Sequence, residues 1–137
     1  MGQAQSEALL HALTDVVSAP GNPMKKIRPD TPRESDIQRA IMDYLAARGF
    51  CVFRRNVMGI VPMKRGGVVR VGQKGMADLW GWHRVTGRHI EVEVKRPGRT
   101  VTLHQSAWLV NALAEGAIAF VARSVEECET RLREFGF

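Results

Sequence analysis

At 137 residues and 45% hydrophobic, the chain has material for one compact domain with a single core and little beyond it. Its 20 Lys and Arg against 14 Asp and Glu leave a net charge of +6, which favours a polyanionic partner by Coulomb attraction, a nucleic acid being the natural candidate. The only two cysteines, Cys51 and Cys128, sit among apolar residues and exclude a disulfide framework or a zinc cluster; no apolar run nears the ~18 residues that span a bilayer, and a soluble protein of a reducing, cytoplasmic compartment is expected.

Residues 1–30 read as separate from the rest of the chain. Leu9, Leu10, Leu13, Val16 and Val17 recur at helical spacing within residues 5–18, and Pro20, Gly21, Pro23 and Pro29 with Lys25, Lys26 and Arg28 have the composition of a linker. Packing of this helix on the domain, self-association and disorder all remain open on the pattern alone. Residues 31–137 form the domain proper.

Thr31-Pro32-Arg33-Glu34 predicts a helix start, with Thr31 as cap, proline in the first helical position and Glu34 completing a capping box. Ile37, Ile41, Tyr44 and Leu45 then form one apolar stripe that stops at Gly49. Residues 50–54 are a short strand. From Arg54 to Ala77 the chain carries Arg54, Arg55, Lys64, Arg65, Arg70 and Lys74 and no acid, with Val68 to Val71 as one arm of a hairpin. Strands are expected at residues 77–83 and 88–95, joined through Val85-Thr86-Gly87. After Pro97-Gly98, Thr102 opens a second helix with Gln105 in the capping-box position, running to Gly116. Residues 117–122 are a continuous apolar run, hence a buried strand, and Ser124 and Glu127 cap a last helix that turns Val125, Cys128, Leu132 and Phe135 inward. The order is helix, three strands, helix, strand, helix, an α/β fold.

The segment that carries chemistry is Ile90-Glu91-Val92-Glu93-Val94-Lys95. Alternation puts Ile90, Val92 and Val94 on one face and Glu91, Glu93 and Lys95 on the other. Taken alone, this is what a solvated strand face looks like. Asp78 changes the weighing, because it starts the strand that pairs with this one and so returns to Glu93 and Lys95. Two carboxylates that close together repel unless a cation lies between them, and hard oxygen ligands suit Mg²⁺ or Mn²⁺. A neighbouring lysine can orient an attacking water or offset charge on a phosphate.

Asp78, then Glu93-Val94-Lys95-Arg96-Pro97-Gly98, in this order of elements, resembles the PD-(D/E)XK nuclease superfamily and within it the VRR-NUC branch, the virus-type replication-repair nucleases. Glu34-Ser35 at the first helix, the glycine shortly before Asp78, and Gln105 with Trp108 three residues on carry the finer likeness, over about residues 33–123. The resemblance implies an αβββαβ core with a mixed central sheet flanked by helices. It implies Asp78 and Glu93 as metal ligands, the Val94 backbone carbonyl as a further one, Lys95 as catalytic lysine, Gln105 as an active-site residue and Glu34 as an added acidic contributor. One departure is Ala77, where the family usually has proline; that position shapes backbone and supplies no ligand atom. Glu91 shares the face but falls outside the motif, and is expected either in an outer shell around the site or facing solvent.

Arg54, Arg55, Lys64, Arg65, Arg70, Lys74, Arg96 and Arg99 are the candidate phosphate contacts, which neutralise backbone charge without reading sequence. His83, His89 and His104 have no metal-ligand spacing, and Trp80, Trp82 and Trp108 are expected in the core or an interface. The expected activity is hydrolysis of DNA phosphodiesters with Mg²⁺ or Mn²⁺, on branched DNA such as Holliday junctions or on flaps, single strands or duplex, by a homodimer of phage-like type. The alternative is a non-catalytic DNA-binding module on the same fold.

Overall fold

The computed structural model describes residues 31–55, 59–62 and 64–137, with Ser6, Glu7, Leu10, His11 and Thr14 of the preceding segment. Those five are helical, and His11 meets Arg131 and Glu134 on the last helix, its Nδ1 lying 3.7 Å from Glu134 Oε2. The rest of the expected helix at 5–18 and the linker at 19–30 fall outside the described residues.

Helix α1 spans Glu34–Ala47 and buries Ile37, Gln38, Ile41 and Leu45. Its start differs from the expected box. Arg33 is the N-cap and makes no side-chain cap bond. Its carbonyl accepts from the N–H groups of Asp36 and Ile37 at 3.0 and 3.1 Å, so Thr31 and Pro32 stand outside the helix. Glu34 and Asp36 instead lie in the first turn, where the partial positive charge of the helix end favours them. Gly49, at φ 86°, turns the chain into strand β1, Phe50–Arg54.

Strands β2 (Gly59–Pro62) and β3 (Val68–Val71) pair with each other as a separate two-stranded ribbon inserted after β1, which supplies the partner arm that Val68 to Val71 called for. The main sheet holds four strands in the order β1-β4-β5-β6, with β4 at Leu79–His83, β5 at His89–Val94 and β6 at Ile118–Ala122. The β1–β4 and β4–β5 pairs are antiparallel; β5–β6 is parallel, and α2 (Leu103–Ala114) is the crossover between them. Helix α3, Val125–Glu134, closes the fold behind an N-cap in which the Ser124 hydroxyl accepts from the Glu127 N–H. This mixed sheet flanked by three helices is an α/β fold consistent with a PD-(D/E)XK-like nuclease core.

Register assigns the faces. Leu79 lies opposite Val92 and Gly81 opposite Ile90, while Val92 and Phe120 are parallel partners. This face packs against Ile37, Ile41 and Leu45 of α1 and Cys128, Leu132 and Phe135 of α3, all but fully buried. Each such aliphatic or aromatic side chain removed from water contributes about 1.5–3 kcal/mol. The opposite face of β5 lies under α2, so five of its six residues are buried although two are glutamates. Among the described residues no helix is long and apolar enough to cross a membrane.

Gly81 lets β1 and β4 approach closely: a Cβ there would stand 1.9 Å from the Cys51 carbonyl oxygen, an atom of the backbone that cannot swing aside. Gly81→Ala is therefore expected to destabilise the domain by about 1–3 kcal/mol. Urea unfolding reads this directly, and unchanged stability contradicts so close an approach.

Candidate active site

Asp78 immediately precedes β4, and the Leu79–Val92 register carries it to Glu93 on the face under α2. Its side chain is held by the strand it faces, since the Val94 N–H donates to Asp78 Oδ2 at 3.0 Å. The turn leading to it passes close under α2. Gly75 has φ 89°, and a Cβ on it would stand 2.5 Å from the His104 carbonyl oxygen. This is the glycine noted in the sequence ahead of Asp78.

Glu93 is fully buried. Its Oε1 takes two donors, Lys95 Nζ and Gln105 Nε2, both at 2.5 Å. Its Oε2 is buried with no partner. Removal from water, and next the negative charge of Asp78, push its pKa up from the ordinary 4.5 to about 7, with Lys95 pulling the other way. Lys95 lies just past β5, where its N–H donates to the Ala122 carbonyl at 3.1 Å. Pairing with β6 thus continues to the residue whose ammonium reaches Glu93.

Gln105 serves two purposes that sequence reasoning treats as rivals. Thr102 caps α2 by accepting from the Gln105 N–H at 3.3 Å, and Gln105 Oε1 accepts from the Thr102 N–H at 2.9 Å, a complete capping box. The amide nitrogen of that same side chain still reaches Glu93. The cap thereby sets the orientation of the group that donates to the site.

The donor set fits a hard divalent cation. Two carboxylates converge, and one buried oxygen, Glu93 Oε2, lacks any partner while its twin is doubly held. Among the described residues no three His, Cys, Asp or Glu side chains gather as a metal cluster, so Glu34 does not join Asp78 and Glu93. A two-carboxylate site suits Mg²⁺ or Mn²⁺, which retain waters and take substrate oxygens.

Glu91 is not solvent-facing. It is 2% exposed, and its oxygens accept from Arg55 Nη1 at 2.8 Å and Nη2 at 3.0 Å and from Trp108 Nε1 at 3.1 Å, with His89 Nε2 at 2.8 Å. Alternation placed Glu91 beside Glu93 in the sequence, but nothing there linked it to Arg55, a residue 36 positions earlier. Arg55 is accordingly held inside the domain, whereas Arg54, Lys64, Arg65, Lys74 and Arg99 are exposed. Arg70 lies in β3, and Arg96 is half-buried with its Nε unpartnered. His83 packs between Phe50 and Phe137, and His104 is exposed. Trp80 and Trp108 are half-buried, while Trp82 is exposed beside Phe53 on the part of the sheet that α2 leaves uncovered. Cys128 is buried as expected; Cys51, at the sheet edge, only partly so. A cleft of about 500 Å³, walled by Gln73, His89, Glu91, Trp108 and Asn111 among others, flanks the Asp78–Glu93 pair without including it.

Residues 67–126 match the family model of the VRR-NUC domain, a span from the turn before β3 into the first turn of α3 that contains Asp78, Glu93, Lys95 and Gln105. No curated protein matches the chain. Residues 67–126 are thus similar to a VRR-NUC domain, a likeness that points to a nuclease-type, DNA-processing function.

The folded, metal-free protein keeps Glu93 protonated up to about pH 7, whereas the unfolded chain ionises it near 4.5, so between these values the native state binds the extra proton. Stability in EDTA is expected to fall as the pH rises through that window, and Glu93→Gln to flatten the fall; melting curves from pH 4.5 to 8 measure both. Gly75→Ala forces a side chain into the left-handed region, at roughly 1–2 kcal/mol, and against the His104 carbonyl. Calorimetric titration should show weaker Mn²⁺ binding as the Asp78 turn is displaced, and wild-type affinity would contradict that placement.

Proposed function

With likeness to a VRR-NUC domain as the premise, we propose that this protein is a metal-dependent endonuclease that hydrolyses DNA phosphodiesters, selecting branched DNA such as Holliday junctions. The observation that carries the reading is the fully buried Glu93, with one oxygen clamped by Lys95 and Gln105 and with the charge of Asp78 close enough to raise its pKa. Asp78 and Glu93, with the Val94 carbonyl, are the proposed holders of Mg²⁺ or Mn²⁺. When bound, such an ion supplies Lewis acidity towards the phosphate and lowers the pKa of a water.

The chain's own groups do the rest. Lys95 places an ammonium at the edge of the site, 15% exposed, where it orients the attacking water and balances charge developing on the phosphate oxygens. Gln105 fixes the Glu93 carboxylate so that its free oxygen keeps one direction, and Val94 does the same for Asp78 through its N–H. Exposed Arg54, Lys64, Arg65, Lys74 and Arg99 offer phosphate contacts that bind duplex without reading its sequence. We further propose that the protein acts as a homodimer, because paired cuts in a symmetric junction need two sites.

A non-catalytic DNA-binding module would use the same exposed cations. It leaves unexplained why a fully buried glutamate is kept beside a second carboxylate, an arrangement that costs stability unless something offsets their repulsion.

Incubation with four-way junctions, flaps and linear duplex under Mg²⁺, Mn²⁺ or EDTA tests the proposal. Cleavage of the junction with either metal and none in EDTA is expected, with Lys95→Ala slowing it by about 10²–10⁴-fold while still binding DNA. Undiminished cleavage by Lys95→Ala or Glu93→Ala would remove the assignment.

A further inference from the structure

We propose that Arg55 is a positioning residue of this active site, holding Asp78 against Glu93 through Glu91 and through the backbone carbonyls on either side of the Asp78 side chain; the inference rests on the metal-dependent reading of the site.

Its contacts are concentrated on the Ala77 and Asp78 carbonyls and on Glu91. The Arg55 N–H donates to the Asp78 carbonyl at 2.7 Å, extending the β1–β4 pairing by one residue. Its Nη1 donates to the Ala77 carbonyl at 3.3 Å and to Glu91 Oε2 at 2.8 Å, while Nη2 donates to Glu91 Oε1 at 3.0 Å. A single side chain therefore ties the turn carrying Asp78 to the strand carrying Glu93. The fork needs a planar group with several donors in fixed directions, which guanidinium has and ammonium lacks.

Its surroundings keep the fork in place. The guanidinium carbon lies 5.4 Å from the ring centre of Trp80 and 5.7 Å from that of Trp108, and the side chain is 15% exposed. Trp108 also donates to Glu91, and it sits one helical turn beyond Gln105 on α2. The two tethers on α2 thus hold the two glutamates of β5, and Arg55 extends that frame to Asp78. An arginine held this way has three of its five side-chain N–H donors engaged within the protein and little surface exposed, so it is poorly placed to bind a phosphate.

The test uses the full chain and its variants Arg55→Lys, Glu91→Gln and the double variant Arg55→Met with Glu91→Met, which removes both charges and leaves neither unpaired. Mn²⁺ binding is followed by calorimetry, junction cleavage by kcat and KM, DNA binding by its salt dependence, and folding by melting. Loss of such a supporting group is expected to weaken Mn²⁺ binding by about 10–100-fold and to lower kcat, with KM for DNA and the salt dependence unchanged. The double variant shows the same loss should either single variant fail to fold. Unchanged Mn²⁺ affinity with a salt slope reduced by about one makes Arg55 a phosphate contact and overturns the proposal. A lower melting temperature with unchanged Mn²⁺ affinity and kcat in the double variant makes it merely structural and also overturns it. If wild type neither binds Mn²⁺ nor cuts DNA, the nuclease reading falls and this inference with it; if wild type does both and every variant matches it, only the role of Arg55 falls.

Discussion

Two glutamates on a strand buried on both faces are the constraint around which this domain is arranged. Glu91 and Glu93 point from β5 into the layer between sheet and α2, where an ionised carboxylate without partners costs several kcal/mol. Their partners therefore have to come from elsewhere. Gln105 and Trp108 arrive from α2, three residues apart and so on one side of the helix. Arg55 arrives from the end of β1 and Lys95 from the end of β5 itself. The seating of α2 on the sheet, the pairing of β1 with β4 and the turn before Asp78 all meet at this one requirement.

The two carboxylates nevertheless end in opposite conditions. Glu91 has both oxygens occupied by an arginine fork, with an indole N–H and an imidazole nitrogen completing its surroundings. Glu93 has one oxygen doubly occupied and the other empty, and burial beside Asp78 pushes its pKa to about 7. Identical side chains two positions apart on one strand thus differ in hydrogen bonding and in proton affinity because of what surrounds them. The first has both oxygens hydrogen-bonded; the second keeps an oxygen able to accept a further partner.

Charge is distributed to match. Glu91 and Glu93 are enclosed, while Arg54, Lys64, Arg65, Lys74 and Arg99 are exposed, so near these two glutamates the solvent meets cations and not carboxylates. The ribbon β2–β3 is inserted between Arg55, which follows β1, and Asp78, which precedes β4, so the basic stretch leaves and rejoins the main sheet at the end where Arg54 pairs with Leu79.

Local pattern by itself determined the order of the main-sheet strands and helices though not strand β2, the inward faces of α1 and α3, the cap of α2, and the presence of Glu93 and Lys95 on one strand face, because helical and strand periodicities and capping spacings act over a few residues. It also brought Asp78 to them, since a short turn leaves an antiparallel strand little choice of register. The start of α1 eluded it, as the carbonyl of Arg33 rather than the hydroxyl of Thr31 anchors the first turn. Only the tertiary structure decided that Glu91 is buried, that Arg55 belongs to it rather than to the surface, that Glu34 stands apart from Asp78 and Glu93, and that Gln105 can cap a helix and hold a carboxylate together. Each of these depends on which helix covers which part of the sheet, and so on contacts between residues far apart in the chain, which no local spacing encodes.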